Sequence, residues 1–185
     1  MSSFLSHTDL QEIGFKSIGQ NVLISKKASI YSPKDISIGN NVRIDDFCVL
    51  SGKISIGNYI HIAVFCALFG GQAGITIHDF ANFSSRISVY ALNDDYSGET
   101  MTNPMIPDEF KNVEQKEVTI GRHVIIGSGS VVLPGTLIHE GGAFGAMSLI
   151  RGEIEPWTIH AGIPCKKIKA RSKNLLELEK RFLEV

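Results

Sequence analysis

At 185 residues the chain is long enough for one sizeable domain with small additions at its ends, and its composition points to no second complete one. A formal net charge of −1 beside 43% hydrophobic residues lacks the basic excess of a non-specific nucleic-acid binder, so nucleic acid is excluded as a partner. No segment approaches the roughly 18 to 20 apolar residues of a membrane span, and Met1-Ser2-Ser3-Phe4-Leu5-Ser6-His7 lacks the basic and apolar regions of a secretory signal, so a cytoplasmic location is expected.

In chain order, residues 8–14 read as a short helix within an N-terminal cap of residues 1–17. Thr8 and Gln11 have capping-box spacing, and Gly14 can end the helix. From residue 18 a repeat takes over. Isoleucine followed by glycine recurs at Ile18-Gly19, Ile38-Gly39, Ile56-Gly57 and Ile120-Gly121. Eighteen residues separate Ile38 from Ile56 and Ile120 from Ile138. The same offset pairs Val42 with Ile60, Ile44 with Ile62, Cys48 with Cys66 and Leu50 with Leu68; later it pairs Ile126 with Phe144, Ser130 with Ser148 and Val132 with Ile150.

A period of three sixes describes a coil whose turns have three flat faces, each with one apolar residue aimed at the axis. One turn cannot bury its own apolar side, so stability comes from stacking neighbours. Glycine after the leading isoleucine suits a tight corner, and Asn40, Asn41 and Asn58 tolerate the left-handed backbone conformation. The odd cysteine, with Cys48, Cys66 and Cys165 forming no CxxC pair, indicates neither a disulfide framework nor a zinc site; all three read as small buried apolar residues.

Between Tyr90 and Val118 the period stops, and the polar, proline-bearing segment 91–118 is expected to leave the coil as a loop. Such loops tend to be functional, the plainer alternative being a tolerated surface insertion. The repeat then resumes to about residue 170. Over 171–185, Ser172 can cap a helix in which Leu175, Leu178 and Phe182 share a face.

Units of aliphatic-Gly-x-x-small-x in threes, with Ile125-Ile126-Gly127-Ser128-Gly129-Ser130, Gly145-Ala146-Met147-Ser148 and Ala161-Gly162-Ile163-Pro164-Cys165-Lys166-Lys167-Ile168, resemble the hexapeptide-repeat acyltransferases, in the sugar acetyltransferase branch of surface-polysaccharide and O-antigen synthesis. The resemblance covers residues 18–170. It implies a mainly β fold, a left-handed parallel β-helix, and that handedness comes from the resemblance alone, since parallel crossovers are ordinarily right-handed. It further implies acetyl-CoA as co-substrate, no metal, and a homotrimer with active sites between subunits. The coenzyme is expected along Gly127, Ser128, Gly145, Ala146, Gly162 and Pro164, where small residues leave a groove open, with Lys166, Lys167 and Arg171 meeting its phosphates. The plainer reading is that the small residues only satisfy tight corners and the cations form a solvated rim.

Many members of the family supply a catalytic histidine in a context like Tyr-x-x-x-His-Pro. The corresponding position in Tyr90-Ala91-Leu92-Asn93-Asp94-Asp95-Tyr96 is Asn93. A sugar hydroxyl needs a base to become a nucleophile, whereas a neutral amine needs only orientation and a proton acceptor. The expected reaction is therefore N-acetylation of a nucleotide-linked amino-deoxy sugar such as a dTDP-4-amino-4,6-dideoxyhexose. Asp94 and Asp95 are the catalytic candidates, although an Asp-Asp pair in a loop also suits a solvated turn. Asn93, Tyr96, His61 and His78 are candidates for substrate contact. His123 and His139 are expected to face outward at corners, and His160 to lie beside the coenzyme tail. The alternatives are O-acetylation of a saccharide and, in another class, a non-catalytic β-helix scaffold or a γ-carbonic-anhydrase-like zinc protein.

Overall fold

The computed structural model describes residues 3–184. The first two residues of the expected N-terminal cap and the last residue of the C-terminal segment lie outside the described residues. Each turn of the chain lays down three short strands, and strands of successive turns pair in parallel. The first face carries Ser17–Ile18, Ile36–Ile38, Val118–Ile120, Leu137–Ile138 and Glu153–Ile154, with one end of the longer strands Val49–Ile56 and Ala67–Ile77. On the second face lie Val22–Ile24, Val42–Ile44, Ile60–Ile62, Asn82–Phe83, Ile125–Ile126, Ala143–Phe144 and Thr158–Ala161. The third is built from Ser29–Tyr31, the other ends of the two long strands, Ser88–Tyr90, Val131–Val132 and Leu149–Ile150. The result is a β-helix of about seven turns.

The register reproduces the sequence columns: Val42 opposes Ile60 and Ile44 opposes Ile62, Leu50 opposes Leu68, Ile126 opposes Phe144, and Val132 opposes Ile150. Because every second residue of a strand points inward, these columns become continuous ladders. Ile44, Leu50, Ile62, Leu68, Ile120, Val132 and Ile150 are all fully buried. Each such side chain contributes about 1.5–3 kcal/mol over its exposed state. Cys48 and Cys66 stack inside the coil as expected, while Cys165 is only half-buried.

Of the asparagines expected to tolerate the left-handed region, Asn41 occupies it and Asn40 and Asn58 do not. The glycines after the leading isoleucines are absent from the left-handed region; the residue two positions on occupies it, at Asn21, Asn41, Tyr59 and His123 (φ 52° to 59°). Gly39 is required for closeness instead: a Cβ there would lie 2.5 Å from the Gly57 carbonyl oxygen of the next turn. Side chains between these positions tie the turns together. The Gln20 N–H donates to Asn40 Oδ1 (2.8 Å), the Asn40 N–H to Asn58 Oδ1 (2.8 Å), and the Asn58 N–H to Asp79 Oδ1 (2.7 Å). Left-handed backbone costs a non-glycine residue about 1–2 kcal/mol. Ring stacking along the same corner offsets it: Tyr59 on Phe80 at 4.9 Å and Phe80 on His123 at 5.0 Å.

Helix α1 (His7–Ile13) closes the open N-terminal end with buried Leu10. Its cap is Ser6, whose Oγ accepts from the Asp9 N–H (3.2 Å) while Asp9 Oδ2 accepts from the Ser6 N–H (2.8 Å). Thr8 and Gln11 therefore do not form the box; Gly14 ends the helix in the left-handed region as expected. At the other end Lys166–Ala170 runs antiparallel to Thr158–Ala161, and helix α2 (Leu175–Leu183) folds back over the second face. Asn174 stands at its N-cap with no side-chain bond of its own; Ser172, expected there, lies two residues earlier, and its Oγ accepts from the Asn174 N–H (3.2 Å). Phe182 of this helix meets Tyr59 edge-on at 5.2 Å. Among the described residues no helix is long and apolar enough to cross a membrane.

The excursion leaves and rejoins the coil through a two-stranded antiparallel ribbon, Leu92–Asn93 against Glu114–Gln115. The coil continues as if uninterrupted, with Ile77 directly opposite Ile120.

Candidate active site

The excursion stands over the outer surface of the third face and borders an open cavity of about 760 Å³. Stacked rings of Phe69 and Tyr90, 5.3 Å apart, form part of its wall. Asn93, Asp94, Tyr96 and Pro104 come from the excursion, and Val131 and Leu133 from the next turn. The ribbon fixes Asn93 opposite Glu114, which places Asp94 at the first unpaired position beyond it.

The two adjacent aspartates have different fates. Asp95 Oδ1 accepts from the Ser97 N–H (2.8 Å) and hydroxyl (2.6 Å), and Oδ2 from the Thr100 N–H (3.0 Å) and hydroxyl (2.8 Å). These four donors, led by Ser97, hold its carboxyl down at about 2. Asp95 is thus an organiser of the loop, with no lone pair left for a substrate. Asp94 is exposed, lines the cavity, and has neither a hydrogen bond nor an ion pair with any described residue. Its carboxylate is free to accept a proton or orient an amine. Serine and threonine two and five residues beyond Asp95 are the turn signal that separates the pair.

His61 and His78 are not brought to this cavity. His61 projects from the second face, its Nε2 2.8 Å from Asp45 Oδ2, and Arg43 holds the other oxygen of that carboxylate at 2.7 Å. His78 is an exposed corner residue beside Asp79. His123 does not face outward: it is 8% exposed, and its Nε2 meets Glu179 Oε2 of α2 at 2.8 Å. Glu179 also pairs with Arg122. His139 does face solvent and pairs with Glu153 at 2.8 Å. His160 is buried against Phe144, and burial lowers its basicity.

Gly127, Ser128, Gly145, Ala146 and Gly162 gather at one corner, between the second and third faces. Gly127 donates to the Phe144 carbonyl (2.9 Å), Met147 to that of Ser128 (2.9 Å), and Leu149 to that of Gly162 (3.0 Å), so Gly127-Ser128, Gly145-Ala146 and Gly162 stack in successive turns. Ser128 and Ala146 are exposed along this edge. Gly127 also has a packing reason for being small: its Cβ would lie 2.5 Å from the Ala146 amide nitrogen, so it sets the spacing of the turns. Pro164 and Lys166 are exposed nearby. Lys167 is engaged by Glu155 (2.5 Å). Arg171 lies at the corner between the first and second faces, where its Nη1 donates to the carbonyls of His123 (2.7 Å) and Gly141 (3.1 Å) and ties the tail to the coil. Sequence reasoning passed over Ser84, which sits one turn before Gly127 at this corner and donates its N–H to the Ile126 carbonyl (3.0 Å).

A stacked coil with a small-residue edge and a loop-borne free carboxylate is the arrangement of a β-helical acyltransferase. Comparison with known proteins agrees. A dTDP-4-amino-4,6-dideoxy-D-glucose acyltransferase from Escherichia coli is 53% identical over 183 residues, covering 97% of this chain and 95% of that protein. The solved structure of AntD, an N-acyltransferase from Bacillus cereus in complex with dTDP and 3-hydroxybutyryl-CoA, is 55% identical and superposes with a TM-score of 0.96 over 100% of this chain and 98% of that one. Other solved forms of AntD carry D94A or S84A, the latter with dTDP-4-amino-4,6-dideoxyglucose and coenzyme A. A galactoside acetyltransferase shares the fold at 20% identity, with a TM-score of 0.59 over 90% of this chain and 70% of that one. No protein-family model matches the chain. The chain belongs to the hexapeptide-repeat, left-handed β-helix acyltransferase family, in the branch of these sugar acyltransferases.

Proposed function

We propose that the protein transfers the acyl group of a coenzyme A thioester, acetyl-CoA in the first instance, to the 4-amino group of a dTDP-linked 4-amino-4,6-dideoxyhexose destined for surface polysaccharide. The observation that carries this reading is the unpartnered Asp94 carboxylate on the wall of the cavity, in a chain 53% identical to an acyltransferase of that sugar. The neutral amine attacks the thioester carbonyl and forms the C–N bond. Asp94 accepts the amine's proton, the C–S bond breaks, and coenzyme A leaves as its thiol or thiolate. Aspartate and serine stand at positions 94 and 84 here, the numbers at which AntD carries its D94A and S84A substitutions. Asn93 and Tyr96 are assigned to the sugar; Ser128, Ala146, Gly162, Pro164 and Lys166 to the coenzyme.

The acting form is proposed to be a homotrimer. Tyr96 and Met105 on the excursion are 87% and 89% exposed, an apolar display that supports covering by a neighbouring copy. A cytoplasmic location is proposed with it, in keeping with a coenzyme A thioester as co-substrate. The test is turnover of acetyl-CoA and 3-hydroxybutyryl-CoA against dTDP-4-amino-4,6-dideoxyglucose and against hydroxyl sugars, followed by thiol release. Acylation of the amine is expected. Turnover confined to hydroxyl acceptors would overturn the reading in favour of O-acetylation.

A further inference from the structure

A second cleft, of about 450 Å³, shares Asn93 and Leu133 with the Asp94 cavity and opens at the corner between the third and first faces. Its wall carries Lys116 and Arg151 with one carboxylate, Glu114. Arg151 is exposed and its guanidinium has no hydrogen bond or ion pair with any described residue. Lys116 is held by Glu114 at 2.5 Å. Its backbone is fixed from both sides: its N–H donates to the Ala91 carbonyl (2.9 Å), and its own carbonyl accepts from the Gly135 N–H (3.3 Å). The lysine stem crosses Gly135, where an added Cβ would sit 3.2 Å from Lys116 Cδ. The glycine thus leaves room for the stem, and the ammonium is delivered to the cleft.

We propose that Lys116 and Arg151 form a diphosphate subsite contiguous with the acyl-transfer cavity. The assignment rests on the acyltransferase reading above, because the nucleotide sugar in that reading carries a diphosphate. Arg151 offers a planar fork that matches two non-bridging oxygens, and Lys116 adds a point charge. Glu114 holds Lys116 until a phosphate competes for it, and it discourages a second carboxylate or other weakly charged anion from settling in the cleft. The ribbon carries Asn93 and Asp94 as neighbours in the chain. A ligand with its diphosphate at Lys116 and Arg151 therefore presents its next moiety to Asn93 and its reactive end to Asp94. For the nucleotide sugar that end is the amine. The thioester, placed along Ser128 and Ala146 at the corner between the second and third faces, keeps its own diphosphate clear of this cleft.

The experiment is calorimetric titration of the full-length protein and its R151Q, K116Q and R151K variants with dTDP and, separately, with coenzyme A. Steady-state KM values for both co-substrates and thermal melts accompany it. R151Q and K116Q are expected to weaken binding of dTDP about tenfold each, the size of one lost charge-assisted contact, and to leave that of coenzyme A unchanged. The salt dependence of dTDP binding should fall, and the melting midpoint should stay where it is. R151K, which keeps the charge and loses the fork, should lie between. Loss confined to dTDP supports the subsite; loss confined to coenzyme A overturns it. Unchanged affinity for both ligands, or an equal loss of both together with a lowered melting midpoint, overturns the proposal. Binding is read without turnover, so a wild-type protein inactive on the amino sugar would count against the reaction and leave the subsite to stand or fall by itself.

Discussion

Replacing Asp94 by asparagine keeps the size and one acceptor oxygen of the side chain but removes its capacity to take a proton. A positioned base contributes about 10²–10⁴-fold to an acyl transfer of this kind. Asp94 is exposed at the cavity wall, where water can accept the proton in its stead, so the lower half of that range applies. The expected loss in kcat is about 10²–10³-fold, or about 3–4 kcal/mol in the barrier. No hydrogen bond is lost with the carboxylate, so stability should stay within about 0.5 kcal/mol of wild type. The assay is thiol release from acetyl-CoA at saturating amino sugar, with a thermal melt on the same preparation. A kcat within about threefold of wild type, well below what a positioned base supplies, would refute the assignment of Asp94 as proton acceptor.

Asp95 titrates at about 2 when the loop is folded, below its ordinary value, so its stabilising contacts are complete above about pH 4 and are lost as pH falls through 2; pepsin should begin to nick residues 91–118 in that window, and Asp95→Asn should be nicked already at pH 4. Glu179→Ala strands buried His123 without its partner at a cost of about 1–3 kcal/mol. Calorimetry should then show a fall of about 2–4 °C for each kcal/mol in a chain of this size, and an unmoved transition would show that α2 is not latched there. Gly127→Ala drives a methyl group against the backbone of the next turn, 2.5 Å from the Ala146 nitrogen, and should cost about 1–3 kcal/mol in a urea melt. Because the obstacle is main chain, Ala146→Gly should not rescue it.

The coil was readable because stacking imposes the same demand every turn: Val42 with Ile60 and Ile126 with Phe144 must match in size and polarity to share a ladder. Features without repetition were harder. His123 occupies a corner where side chains ordinarily face out, and only a helix arriving from far along the chain, bringing Glu179, buries it. Arg171 has the charge of a phosphate ligand, yet its partners are carbonyls exposed by the geometry of a corner, which no sequence pattern announces. The N-terminal cap shifted from Thr8 to Ser6 because Asp9, at the third helical position, serves the reciprocal bond as well as the expected glutamine does. Asp94 and Asp95 looked equivalent in composition. The difference between a free carboxylate and a committed one lies in Ser97 and Thr100, whose donors reach only the second of the pair.

Val118–Ile120 returns to parallel pairing with Ile75, Thr76 and Ile77 directly after the excursion, so the coil closes over the insert that follows Tyr90 whatever that insert contains. Closing a longer or shorter segment there changes the free energy only logarithmically with its length, about 0.6 kcal/mol for each doubling. Substrate choice can therefore drift by exchange of this one insert, with its ribbon as a ready-made socket, while the ladders that keep the chassis folded go untouched. A chimera that exchanges residues 94–113 for the corresponding insert of a related enzyme should inherit the donor's acceptor preference and this chain's melting behaviour.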